Sequence, residues 1–195
     1  MNANGAAILS NPHPCGHIVY PYTDEDLVGQ AVCLFTTAGL RAREGVILIM
    51  TTSHYETIKL RLRLEGIPID AYEHSGQLIC VTTEEMLAKF MAVGLLDEDL
   101  FKSTIRSLIE RAKASAGNGH SRPVRVFGEM VSQLRATNLA ATTRLEELWN
   151  EVIEEHSVAL LCTYALHKAD DHIPPLLTEL HSHDLGLERP AAVGD

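Results

Sequence analysis

Residues able to do chemistry are sparse in this chain and gather in a few short stretches. Cys15-Gly16-His17, Cys162 and His181-Ser182-His183 carry the thiol and imidazole donors that suit zinc. Cys15 and His17 are two apart, but no second pair follows at finger spacing. No cofactor is therefore expected, and a bound metal is left open. Glu129 follows an apolar run in Val126-Phe127-Gly128-Glu129-Met130. A carboxylate there could hold a metal, act as a base, bind a ligand or simply start a helix. His167, Asp170, Asp171 and His172 read as a polar turn, and Cys33 and Cys80 as core residues. Arg61, Arg63, Glu146 and Glu147 read as solvated helix faces. There is no G-x-S-x-G elbow and no readable Cys–His arrangement, so catalysis is not expected.

Phosphate chemistry is disfavoured by the same kind of reading. GxxxxGK[ST] and GxGxxG are both absent. The first strand-to-helix turn reads Tyr22-Thr23-Asp24-Glu25-Asp26. A phosphate cradle needs glycines that let backbone N–H groups approach. Three carboxylates at that helix start would repel the ligand instead.

The elements that must position these residues alternate. His17–Tyr22, Val46–Met50, Gln77–Thr82, Val124–Phe127 and Ser157–Tyr164 are short apolar runs of strand length. Helical spacing marks Leu27–Ala42, Tyr55–Leu64, Glu84–Val93, Asp97–Ala116, Leu139–Glu155 and a final helix over Pro174–His183. Unbroken apolar strands are buried on both faces. Their alternation with helices predicts an α/β domain with a mostly parallel central sheet of at least five strands, flanked by helices. Residues 1–14 read as a flexible lead-in, 15–188 as one domain and 189–195 as a tail. Gly117-Asn118-Gly119 is the clearest internal loop.

In such sheets ligands bind beyond the carboxyl ends of the strands. That rule selects Tyr20, Tyr22 and Thr23, then Thr51, Thr52, Ser53 and His54, then Thr83 and Glu84. It adds Gly128, Glu129 and Met130 after the fourth strand, and Tyr164 after the fifth. The tyrosines and nearby apolar residues suit a small, weakly polar ligand.

Composition bounds the partners. Sixteen Lys and Arg against 26 Asp and Glu give a net charge of −10. That balance argues against nucleic acid and against an anionic membrane surface. No apolar run is long enough to span a bilayer, and Met1–Ser10 lacks a signal-peptide pattern. Four scattered cysteines fit a reducing, cytoplasmic setting.

Several segments together resemble the MEDS domain, the sensory domain named for methanogens, methylotrophs and the regulator DcmR. They are His17-Ile18-x-x-x-Tyr22 with Asp24-Glu25, Ala38-Gly39-Leu40 before Gly45, and Ser75-Gly76-Gln77-Leu78. Val126-x-Gly128-Glu129-Met130, Leu161-Cys162-x-Tyr164 and the closing His181-Ser182-His183 complete the match, from about Cys15 to about Gly186. The resemblance implies a three-layer RecA/KaiC-like fold without the phosphate-binding loop. It implies a sensory role in signal transduction or transcriptional regulation, with small hydrocarbon-like compounds as proposed ligands. Where relatives often read His-Ile-Cys-His-Phe-Tyr, this chain reads His17-Ile18-Val19-Tyr20-Pro21-Tyr22, so chemistry carried by that cysteine and second histidine is not shared.

The leading expectation is a non-enzymatic, standalone ligand-binding domain. His17, Tyr20, Tyr22, Glu129, Cys162 and Tyr164 would form its site, with Tyr22 and Glu129 orienting the ligand. Its output would pass through the final helix or Leu139–Glu155 to a separate histidine kinase or transcriptional regulator, with homo-oligomerisation left open. The alternatives are a degenerate RecA-like nucleotide-binding protein or ATPase, and a ligand-free interaction module.

Overall fold

The computed structural model describes residues 1–114, 122–166 and 172–186. The Gly117–Gly119 loop, the cluster residues His167, Asp170 and Asp171, and the 189–195 tail lie outside them. The chain runs through α1 (Ala3–Ser10), β1 (His17–Tyr22), α2 (Glu25–Arg41), β2 (Gly45–Met50), α3 (Thr52–Leu64), α4 (Ile69–Ser75) and β3 (Leu78–Thr82). It continues with α5 (Thr83–Phe90), β4 (Met91–Ala92), β5 (Leu95–Leu96), α6 (Glu98–Ala114), β6 (Val124–Gly128) and α7 (Met130–Arg135). The remaining elements are α8 (Leu139–His156), β7 (Val158–Ala165), α9 (Pro175–Glu179) and β8 (His183–Asp184).

Six strands form one parallel sheet in the order β3-β2-β6-β7-β1-β8. Two buried layers flank it. Helices α1 to α4 cover one face, where Ile18, Tyr20, Phe35, Leu48 and Phe127 pack. Helices α5 to α9 cover the other, around Val19, Phe101, Trp149, Leu160 and Cys162. The architecture is the three-layer α/β sandwich expected. Because side chains alternate along a strand, neighbouring residues of β1 feed opposite layers.

Local rules explain most boundaries. Asp24 caps α2 by accepting the Asp26 N–H, so the acidic turn is consumed by the helix itself. A reciprocal Thr82–Glu85 capping box opens α5. Pro21 is tolerated in an inner strand because β8 is so short. The carbonyls of His17 and Val19 accept bonds from Ser182 and Leu185 on that side. Pairing has ended by the register of Pro21, whose missing N–H costs nothing there.

The structure corrects two expectations of helix extent, and it places α1 inside the expected lead-in, where Asn2 caps the helix and Leu9 is fully buried against the α2 layer. The helix expected to reach Val93 stops at Phe90. Val93 and Gly94 both have positive φ (52° and 78°) and turn the chain into the β4–β5 hairpin. The final helix is only Pro175–Glu179, and His183–Asp184 become the sixth strand, paired with Ile18 and Val19.

Candidate functional site

The connections from β1 and β2 run toward the β3 edge, while those from β6 and β7 run toward the β8 edge. Adjacent strands β2 and β6 therefore send their chains apart, which opens a crevice at their carboxyl ends. A cavity of about 230 Å³ lies there, under α2 and α3. Tyr22, Val32, Met50 and Phe127 supply apolar wall, and Glu129 and His54 supply the polar end. A wider cavity of about 460 Å³ sits at the opposite, amino end of the sheet, between the Pro12–Pro14 segment and Pro123.

Glu129 is the pivot of the crevice. It is buried, accepts the Thr51 backbone N–H, and pairs with His54 Nδ1 at 2.6 Å. That ties the end of β6 to the end of β2. His54 Nε2 then lies 3.3 Å from Glu25 on α2. The Arg61–Asp26 ion pair forms a second bridge between α3 and α2. Gly29 allows this bridge, since a Cβ there would meet the Arg61 guanidinium at 3.2 Å. Burial, then Glu25 and Glu129, push the Tyr22 hydroxyl well above its ordinary range, so it stays a proton donor.

The hydrogen bond to Glu129 raises the His54 pKa above its usual value, against the opposing effect of burial. A group raised on folding stabilises most below its unfolded pKa and loses that contribution as pH rises through its folded value. The stability gained from His54 is therefore complete below about pH 6.5 and declines above it. His54→Gln should flatten the stability profile above about pH 6.5, read from urea midpoints. An unchanged slope would remove His54 from the pairing.

The residues expected to form one site lie on two faces of the sheet. Tyr20 and Tyr22 face the α2 layer, and Tyr22 lines the crevice together with Glu129. Tyr20 is buried behind them and does not line the cavity. His17, Cys162 and Tyr164 point to the opposite layer, where they meet two residues on other elements. One is His181, just after α9. The other is Glu146 of α8, which is fully buried rather than part of a solvated face.

This second cluster is dense. The Tyr164 hydroxyl donates to Glu146 Oε1. Glu146 Oε2 lies 3.2 Å from His17 Nε2 and 3.6 Å from Cys162 Sγ. Cys162 Sγ is 3.5 Å from His17 Nε2, and Glu146 Oε1 is 3.3 Å from His181 Nε2. Burial opposes ionisation of Glu146, yet His17 and His181 hold its carboxyl well below the usual range. Four donor atoms, from His17, Glu146, Cys162 and His181, fall within 4.8 Å of one another. Cys15 is exposed and takes no part.

The family model of the MEDS domain, the methanogen/methylotroph, DcmR sensory domain, matches residues 16–182. No curated protein matched the chain. The matched span holds β1, the Glu129 crevice and the buried cluster as far as His181. No helix among the described residues is long and apolar enough to cross a membrane. By this match over most of its length, the chain belongs to the MEDS family of sensory domains.

Proposed function

We propose that this sensory domain is non-enzymatic and binds a small, weakly polar organic molecule in the β2–β6 crevice. The carrying observation is the crevice itself: apolar walls, one buried carboxylate with a histidine, and a tyrosine hydroxyl that stays protonated. A volume of about 230 Å³ is below the range of drug-sized pockets, which favours compounds of a few heavy atoms. The acid-capped start of α2 disfavours a nucleotide, because Asp24 already takes the Asp26 N–H and the carboxylates of Asp24, Glu25 and Asp26 would repel a phosphate.

A ligand signals only by binding one of two states more tightly. The Glu25–His54 and Arg61–Asp26 bridges supply such states, since α2 and α3 are clasped across the cavity mouth. The receiver is a histidine kinase or transcriptional regulator in the cytoplasm. Exposed Val93 and Leu95 on the hairpin, bonded to the start of α8 through Asn138, support α8 and its surroundings as the output face.

The test is a ligand panel of short alcohols, ketones, amines and halogenated methanes, read by native mass spectrometry and amide NMR shifts. Saturable binding should appear for at least one compound. Glu129→Gln should weaken it by about tenfold or more, the loss of one charge-assisted hydrogen bond. Binding that Glu129→Gln leaves unchanged, or no binding across the panel, would overturn the assignment of this crevice.

A further inference from the structure

We infer that His17, Cys162, Glu146 and His181 form a closed, four-ligand zinc centre on the α8 side of the sheet. The site is distinct from the ligand crevice and stands independently of it. Three observations carry it. The first is spacing. Zinc bonds of about 2.0–2.3 Å at tetrahedral angles hold neighbouring donor atoms about 3.3–3.7 Å apart. Here His17 Nε2, Cys162 Sγ and Glu146 Oε2 lie 3.2, 3.5 and 3.6 Å from one another, His181 Nε2 lies 3.3 Å from the other carboxylate oxygen, and all four residues offer a donor atom within 4.8 Å of the rest.

The second is the direction of the imidazoles. His17 Nδ1–H donates to Asn150 Oδ1 at 2.8 Å, and His181 Nδ1–H donates to the Leu177 carbonyl at 2.7 Å. Both rings therefore aim Nε2 inward with its lone pair available. Metal-binding histidines are held in this way by a partner on the other nitrogen. His181 Nε2 is buried and makes no hydrogen bond, although it faces Glu146. A cation in the centre would satisfy it. Asn150 is itself fixed by donating to the Leu180 carbonyl, so it positions His17 and the α9 end together.

The third is charge. A thiolate and a carboxylate with two neutral imidazoles carry −2, which a divalent cation cancels. A neutral centre suits a pocket whose members are essentially buried. The Tyr164 hydroxyl bonds the Glu146 oxygen on the His181 side and holds the carboxylate in place. Loading displaces the Cys162 proton, and any proton on the imidazoles, to solvent. With four protein ligands and no open position, the centre is structural. It pins α9 and β8 to β1 and β7, where only two residues of β8 pair in the sheet.

The test measures zinc in the full-length protein by elemental analysis, then replaces it with cobalt(II). About one zinc per chain is expected. The cobalt form should show tetrahedral d–d bands and a thiolate charge-transfer band. Cys162→Ser should lose that band, while Cys15→Ser keeps it. Asn150→Ala should weaken zinc by about 10–100-fold with the fold retained. Substoichiometric zinc in folded, reconstituted protein would overturn the proposal and leave a metal-free ion-paired cluster. Stoichiometric iron or copper, or a cobalt spectrum without the thiolate band, would overturn it as well. If Cys162→Ser does not fold, the wild-type cobalt spectrum and Asn150→Ala decide the matter.

Discussion

Glu146→Ala should lower the unfolding free energy by about 3–5 kcal/mol, while Glu147→Ala should change it by less than about 1 kcal/mol. The two residues are neighbours on α8, and only their surroundings differ. Glu147 pairs with Arg144 at the surface, at 2.8 Å with 44% of its side chain exposed. Glu146 is 0% exposed, and four buried groups turn toward it. Removing its carboxylate strands the Tyr164 hydroxyl and leaves two inward-facing imidazoles with no anion between them. A buried polar group without a partner keeps its full desolvation cost. The truncation also opens a cavity beside Trp149 and Leu145 in the same layer. Urea denaturation of chelator-treated protein measures the cluster without any metal contribution. A loss below about 1 kcal/mol would mean that water reaches the site and that the cluster is not closed.

Glu146 was open to detection from the sequence by helical spacing. Thr142, Glu146, Trp149 and Ile153 follow one another at steps of four, three and four residues. All four are buried, on the stripe that also holds Leu145 and Val152. A carboxylate on an apolar stripe is the informative exception, but the run Glu146-Glu147 disguises it as surface. The strands gave clearer signals. β2 is an unbroken apolar run, β6 and β7 are interrupted only by Arg125 and Thr163, and the sheet they build was legible. Short elements were not. α1, α4 and α7 have at most eight residues, too few for a periodic pattern to rise above background. β8 has two residues and exists only because β1 offers it an edge.

The split of the candidate site follows from strand periodicity. His17 and Tyr22 are five apart on one strand, so they must face opposite layers. Cys162 and Tyr164 are two apart and share a face. Position at a strand end therefore led to Glu129, which lines the crevice, but it was a poor guide to which residues meet. What the sequence could not supply was the register of β1 against β7. That register sets Val19 opposite Cys162 and brings His17 alongside it. His181 was visible as a donor, yet its partner depended on where the short α9 ends.

Arg125→Met should cost about 3 kcal/mol and loosen the amino-terminal helix, although Arg125 lies far from it in sequence. Arg125 is 1% exposed on β6 and points into the α2 layer. Its guanidinium pairs with Glu44, donates to the carbonyls of Phe35 at 2.9 Å and Leu9 at 3.3 Å, and lies 5.0 Å from the Phe35 ring centre. Gly39 leaves the slot it fills, since a Cβ there would sit 2.6 Å from the Arg125 side chain. Helix α1 has eight residues, below the length at which an isolated helix holds in water. Its order must come from packing, through Leu9, and from this bond to its last turn. Amide exchange over residues 3–10 should therefore accelerate in Arg125→Met while that of β2 and β7 changes least. The double variant Arg125→Met with Glu44→Leu should recover part of the stability, because replacing a buried pair by apolar groups removes both desolvation costs. It should not restore protection of α1, since neither new side chain can donate to the Leu9 carbonyl. Recovery of both together would show that charge burial, and not the bond to Leu9, anchors the helix.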